Sequence, residues 1–574
     1  MKTDAIHHLK KSFTLAIGLL ACALQQPALA LNLGNLNTVD TLDLSTSSLT
    51  DTAFTVCSTN STMTNTVLIG VGQELRINGN VTVGTNVAAT ASFLTMSGGG
   101  LFVVDKTNGV IQIDGSTANL ANAALLGMGG LDTFSATLGT GGIFRVGGTY
   151  TGSGASTPIP AVDMIVLATN STISTGTISL GQSTENVNAT LKLGSGVNTL
   201  NVNAIALGYI RTPGILQFNT GSGTVKIRGY NGTDADRANL TVSDHGSGVT
   251  VTSLVDFSGH WADVMLNQVM IGRRNGGSSG ANVSTGNFIF NSGILNMNTV
   301  TLGYMVSASG NPGYGVTGNM ILTGGVTVVN SGMIIATNAW TNNIAYVARG
   351  TLTVGGTASV TVNSLVGPAL IVGAMAKGSG ASQTATGTVV VTGGTLTLGG
   401  DLAHGDASTN NARGCAILNL TGGALLMPNY AIVNVDNFTM TNAMLAVGVY
   451  AGLPVLANMG TGVLAPGGTN VVGSTIISNS YVQASTATLD IDLVSRLSYD
   501  RVTVTGTVTL AGMINVRSLS TAIGDFDVLT SAVSVSDTST LDAGALAAGF
   551  KKTLVNDSKT VRIYRHRGTF ISFL

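Results

Sequence analysis

A unit of about 32 residues recurs through the middle of this chain, and a chain that repeats at such an interval must bury its apolar side against its own neighbouring copies. The clearest unit is Thr388-Val389-Val390-Val391-Thr392-Gly393-Gly394-Thr395-Leu396-Thr397-Leu398-Gly399, which reads as a short strand, a glycine corner and a second short strand. Related corners stand at Asn291-Ser292-Gly293, Thr323-Gly324-Gly325, Val354-Gly355-Gly356 and Thr421-Gly422-Gly423; with the corner at Gly393 in its place among them, the middle residues step by 32, 31, 38 and 29. A second marker, an apolar residue followed by Gly or Ala, trails the corners at Leu207-Gly208, Ile271-Gly272, Leu302-Gly303, Ile335-Ala336, Val372-Gly373 and Leu402-Ala403. Between Gly208 and Gly272 the interval doubles.

Alternation with period two sends every other side chain inward. In the unit above, Val389, Val391, Leu396 and Leu398 form the inner set and the threonines the outer one. Glycine at the corners lets the chain bend sharply from one sheet to the next. The expectation is an all-β protein, a β-solenoid of the right-handed parallel β-helix type with a C-terminal β cap. A β-propeller is the rival, but its blades of about 40–50 residues carry recurrent signatures that are missing here.

Composition agrees. Charged residues make up 9% of the chain, against about 25% in ordinary globular proteins. With a net charge of −1 and 44% hydrophobic residues, the chain fits neither disorder nor nucleic-acid binding. Lys10 and Lys11 precede an apolar run, Phe13 to Leu24, and Ala28-Leu29-Ala30 offers a cleavage site, the pattern of a signal peptide over residues 1–30. Leu19-Leu20-Ala21-Cys22 reads alternatively as a lipobox. Either way the expected location is exported: cell surface, outer envelope or extracellular, with membrane contact only if Cys22 is lipidated. Cys57 and Cys415 stand far apart, so no disulfide framework is expected.

Residues 31–170 read as a less regular β-rich start of the solenoid, 171–463 as the repeat helix, and 464–574 as a cap and tail. From Leu464 the texture changes to Leu464-Ala465-Pro466-Gly467-Gly468, Leu489-Asp490-Ile491-Asp492-Leu493, Tyr499-Asp500-Arg501-Val502-Thr503-Val504 and Gly524-Asp525-Phe526-Asp527-Val528-Leu529. This order resembles the end of a bacterial autotransporter passenger, and the repeats resemble autotransporter-associated β-strand repeats of surface proteins. The resemblance implies a surface-exposed β-helix closed by a capping hairpin. Only some 45 residues follow Leu529, too few for a translocator barrel, so the expectation is a passenger-like chain released, lipid-anchored or held by partners.

Catalytic motifs with a mechanism behind them are missing, and the chain reads as a structural or adhesin-like protein rather than an enzyme, with no cofactor or metal. The densest polar cluster is Asp234, Asp236, Arg237, Asp244, His245, Asp256, His260, Asp263, Arg273 and Arg274. It reads as solvated loops interrupting the repeats; a polysaccharide lyase or hydrolase site is the alternative. Trp261 and Trp340 read as loop-packing anchors, with sugar stacking as the alternative. The Asn-rich strands are candidates for side-chain ladders along the stack. Arg211, Arg273, Arg274, Arg349, Lys377 and Arg413, with Tyr209, Tyr304, Tyr314 and Tyr346 nearby, are expected in loops along one edge. There they would contact acidic surface glycans, or guard the edge against aggregation. Surface glycans and other cell-envelope proteins are thus the expected partners.

Overall fold

The computed structural model describes residues 31–566 apart from 34–40, 57–63, 85–91, 115–122, 148–161, 182–187, 210–211, 220, 246–249, 276–282, 308–314, 340–344, 377–382, 407–412 and 519–521. Residues 1–30, with Cys22 and the cleavage site, lie outside the described residues, as do Cys57, Arg211, Tyr314, Trp340 and Lys377. Strands of the solenoid pair in parallel with the equivalent strand one coil on, which excludes a propeller. The described chain forms two compact units, one reaching Val202 and including Phe218–Gly223, the other made of Asn203–Gln217 and the chain from Thr224 onward.

In the first unit the registers Phe54↔Val81, Val81↔Ile111 and Ile111↔Phe144 stack one inward column, and all four side chains are buried. Leu75↔Phe102 and Phe102↔Phe134 stack another. Phe54, Phe102, Phe134 and Phe144 meet inside as a chain of rings with centroids 6.3, 5.5 and 6.4 Å apart. Such pairs add about 0.5–1.5 kcal/mol each beyond the area they bury.

The second unit has a seam inside it. Gly208, Ser243, Gly272, Gly303, Ala336 and Gly373 all adopt φ between 59 and 68°, and the registers on either side align them in one column. Ser243 supplies the member missing from the doubled interval. Facing them, Ser253, Gly286, Gly318, Gly350, Gly387 and Ala416 form a second column. A Cβ on Gly318 would sit 2.0 Å from the Ile271 carbonyl oxygen and 2.3 Å from the Gly303 nitrogen, and one on Gly303 would sit 1.9 Å from the Arg349 oxygen. Two sheets therefore touch backbone to backbone, dividing each coil into two lobes.

The left-handed residue also inverts the inside–outside parity of its strand. Val269 and Ile271 point inward before Gly272, and Arg274 does so after it. Arg274, Met305, Asn338 and Met375 then stack in one column, where Met305 and Met375 pack with Val316, Tyr346, Ala348 and Ala385 in the second lobe. Outside, side-chain amides link Asn239, Asn267, Asn298 and Asn330 at 3.2, 2.9 and 3.2 Å, the ladder that the asparagine content suggested.

The change of texture at residue 464 does not end the stack. Leu445, Leu464, Leu489, Ile514 and Leu541 continue as one inward column. The loop Pro466–Gly473 approaches the outward carboxylates of the strand Thr488–Ser495, and Asp490 and Asp492 are buried although they face away from the core. The last coil is closed by the hairpin Lys551–Val555 and Thr560–Arg565, whose second strand runs antiparallel to Gly524–Ser531. The expected C-terminal β cap is this hairpin. Ala543–Ala547 is the one helix among the described residues, a single turn capped by Asp542.

Candidate functional site

Most of the polar segment 234–274 is solenoid strand rather than inserted loop: Ala238–His245, Val251–Asp256 and Trp261–Asn275 all join the ladder, while Asp234, Asp236 and Arg237 do lie in a loop. That loop, residues 229–237, lies over the outward face of the strand Thr224–Arg228. There Arg228 is buried to 2% side-chain exposure. Its Nε donates to Asp234 Oδ1 at 2.8 Å, one terminal nitrogen to Asp263 Oδ2 at 2.7 Å, and the other to the carbonyls of Ile227 and Asp263 at 2.9 Å each. A buried guanidinium needs this saturation, because an unpaired charge there would be strongly destabilising.

The carboxylates of this segment are committed. Asp234 is held below the usual carboxylate range by hydrogen bonding and charge from Arg228. Asp236 accepts from the Asn231 amide at 2.7 Å, and Asp256 from the Ser258 amide at 2.9 Å, each fixing a turn. Asp244 is pushed up by burial but pairs with Arg273 at 2.9 Å. Glycoside hydrolysis requires one carboxyl held protonated opposite a second, ionised one across a reacting bond. Here Asp234 and Asp263 converge on a guanidinium instead. Among the described residues no three His, Cys, Asp or Glu side chains are placed to hold a metal ion.

The six bases do not share one setting. Arg349 is exposed, but it lies inside the strand Val347–Val354 between Thr317 and Thr386 of the adjoining coils, not in a loop. Arg273 is half-buried in its pair with Asp244. Arg274 is fully buried, so its reading as an edge residue is corrected: the parity inversion at Gly272, invisible to an alternation count, turns it inward. Arg413 begins the strand Arg413–Val433. Tyr346 is likewise buried, Tyr304 is half-buried on a strand, and Tyr209 is exposed at 43%. The strand ends flanking the segments at 276–282, 308–314 and 377–382 do stack in register, as the repeat markers suggested.

Trp261 departs from expectation in the opposite direction. It is 53% exposed and not a packing anchor. Lys226 Nζ stands 3.7 Å from Asp234 and pairs in register with Asp263, while Thr224 pairs with Trp261. An open groove of about 640 Å³ in the first unit, lined by Val71, Gln73, Glu74, Leu101, Asp132 and Thr133, has its acids engaged: Glu74 with Arg76 and Asp132 with Thr133. The chain matches no protein-family model and no curated protein.

Proposed function

We propose that this protein is an exported cell-surface scaffold, a structural or adhesin-like β-solenoid without catalysis. One observation carries the reading: the two most buried arginine pairs of its densest polar segment, Arg228 with Asp263 and Arg273 with Asp244, tie neighbouring coils together. The basic, apolar and small-residue sequence of positions 1–30 and the passenger-like order of motifs from Leu464 support export and display.

Expression with the complete N-terminus in a Gram-negative host tests this. Externally added protease should degrade the protein on intact cells, and the mature N-terminus should begin at Leu31, or at Cys22 carrying lipid. An intact N-terminus with a protease-resistant cytoplasmic pool would overturn the proposal. A Cys22→Ala change should leave localisation intact in the first case and release the protein from membranes in the second.

A further inference from the structure

Trp261 is the first residue of a strand embedded in the ladder, so its position is set by the coil rather than by a loop. The neighbouring Ala262 is fully buried, which turns the indole to the outside. Asp263 lies two residues on, on the same face. Lys226 is beside Asp263 across the parallel pair, and Ile294 is beside it in the next coil, followed by Val326. Ile294 and Val326 are 41% and 48% exposed. Asp234, 73% exposed, reaches this face from the loop above. One surface thus joins an indole, two exposed aliphatic side chains, two carboxylates and an ammonium.

The charges decide what such a surface can hold. Lys226 and Arg228 balance Asp234 and Asp263, and four of the five guanidinium N–H groups of Arg228 are already donated within the protein. No net charge remains to attract an acidic ligand. The outward edges of the carboxylates can accept from hydroxyl groups, and the Lys226 ammonium can donate to them. Arg228 fixes both carboxylates beforehand, which lowers the entropy lost on binding. An aromatic face beside fixed hydroxyl partners suits a pyranose ring, apolar on its C–H face and polar at its rim. We propose that the surface around Trp261 binds an uncharged saccharide through stacking on the indole and hydroxyl contacts to Asp234, Asp263 and Lys226. This site is independent of whether the protein is exported.

Saturation-transfer NMR and calorimetry with hexasaccharides of glucose, mannose, galactose and N-acetylglucosamine test the assignment, with hexagalacturonate as the acidic counterpart. At least one uncharged hexasaccharide should bind, with little dependence on salt. Trp261→Ala should weaken that binding about tenfold or more, and Trp261→Phe should stay within about threefold of wild type. Far-UV circular dichroism should be the same for all three proteins, since the indole is outside the core. Binding unchanged in Trp261→Ala, no binding of any uncharged hexasaccharide, or binding of hexagalacturonate alone that salt abolishes would each overturn the proposal.

Discussion

At the seam of the second unit, single residues decide whether two sheets can touch. Gly318 has backbone atoms of the facing strand where a side chain would begin, so Gly318→Ala must push the lobes apart and should cost about 3 kcal/mol. Ala336 lies across the same seam at φ 59°, where an L-residue pays about 1–2 kcal/mol of steric strain. Ala336→Gly should therefore be neutral or stabilising by up to about 1 kcal/mol, the unfolded chain's extra freedom offsetting part of the relief. Urea unfolding followed by circular dichroism checks both; equal losses from the two changes would refute the backbone-contact account. Arg228 shows the other way a residue acts here, by gathering a loop and a neighbouring coil onto one guanidinium.

At the scale of elements, the loop Pro466–Gly473 is held by carboxylates that burial disfavours as anions. Asp500 accepts from the amides of Gly473 and Asp492 at 2.6 and 2.9 Å. Burial, with the Asp492 charge adding to it, pushes its carboxyl up to about 7. Arg517 is the cation near Asp492, and it also pairs with Asp490. The folded Asp500 thus keeps its proton to higher pH than the unfolded chain does. Its contribution is fully present below about pH 4 and declines as pH rises to about 7, by at most a few kcal/mol. Burial of Asp114 in the first unit, pushed up to about 6, acts in the same direction. The thermal midpoint of the second unit should be higher at pH 5 than at pH 8, and Asp500→Asn should flatten that difference; an equal pH dependence in the variant would rule Asp500 out. These elements also show what was legible beforehand. Strand alternation and glycine corners follow from local chemistry, the capping hairpin was implied by the resemblance alone, and five of the six repeat markers fall in the left-handed column, Leu402-Ala403 pairing instead with Leu370 and Ile371. Sequence spacing does not reveal that this column inverts parity, so the inward turn of Arg274 was hidden. The outward indole of Trp261 was hidden too, because residues 261–274 read as loop when they form a strand of the ladder.

Within the second unit, successive coils repeat both columns in register, and this makes a coil a removable part. Deleting Gly318–Arg349 joins Thr317 to Gly350 and leaves both strand parity and seam in place. Deleting one residue more, through Gly350, moves every following side chain of that strand to the opposite face. The first deletion should give a soluble protein with a β-rich circular dichroism spectrum, and the second an aggregated or largely unfolded one. If both behave alike, register is not what the coils enforce.

The same seam has an evolutionary consequence. Where two sheets meet through their main chains, selection acts mainly on the smallness of two residues per coil, one in each column. Elsewhere in a coil, inward positions can exchange one apolar side chain for another, as the succession Leu207, Val242, Ile271, Leu302, Ile335, Val372 already does. Descendants of one ancestral coil can then lose nearly all recognisable likeness while keeping their shape. Kinship among such proteins would persist as a rhythm of small residues rather than as shared side chains.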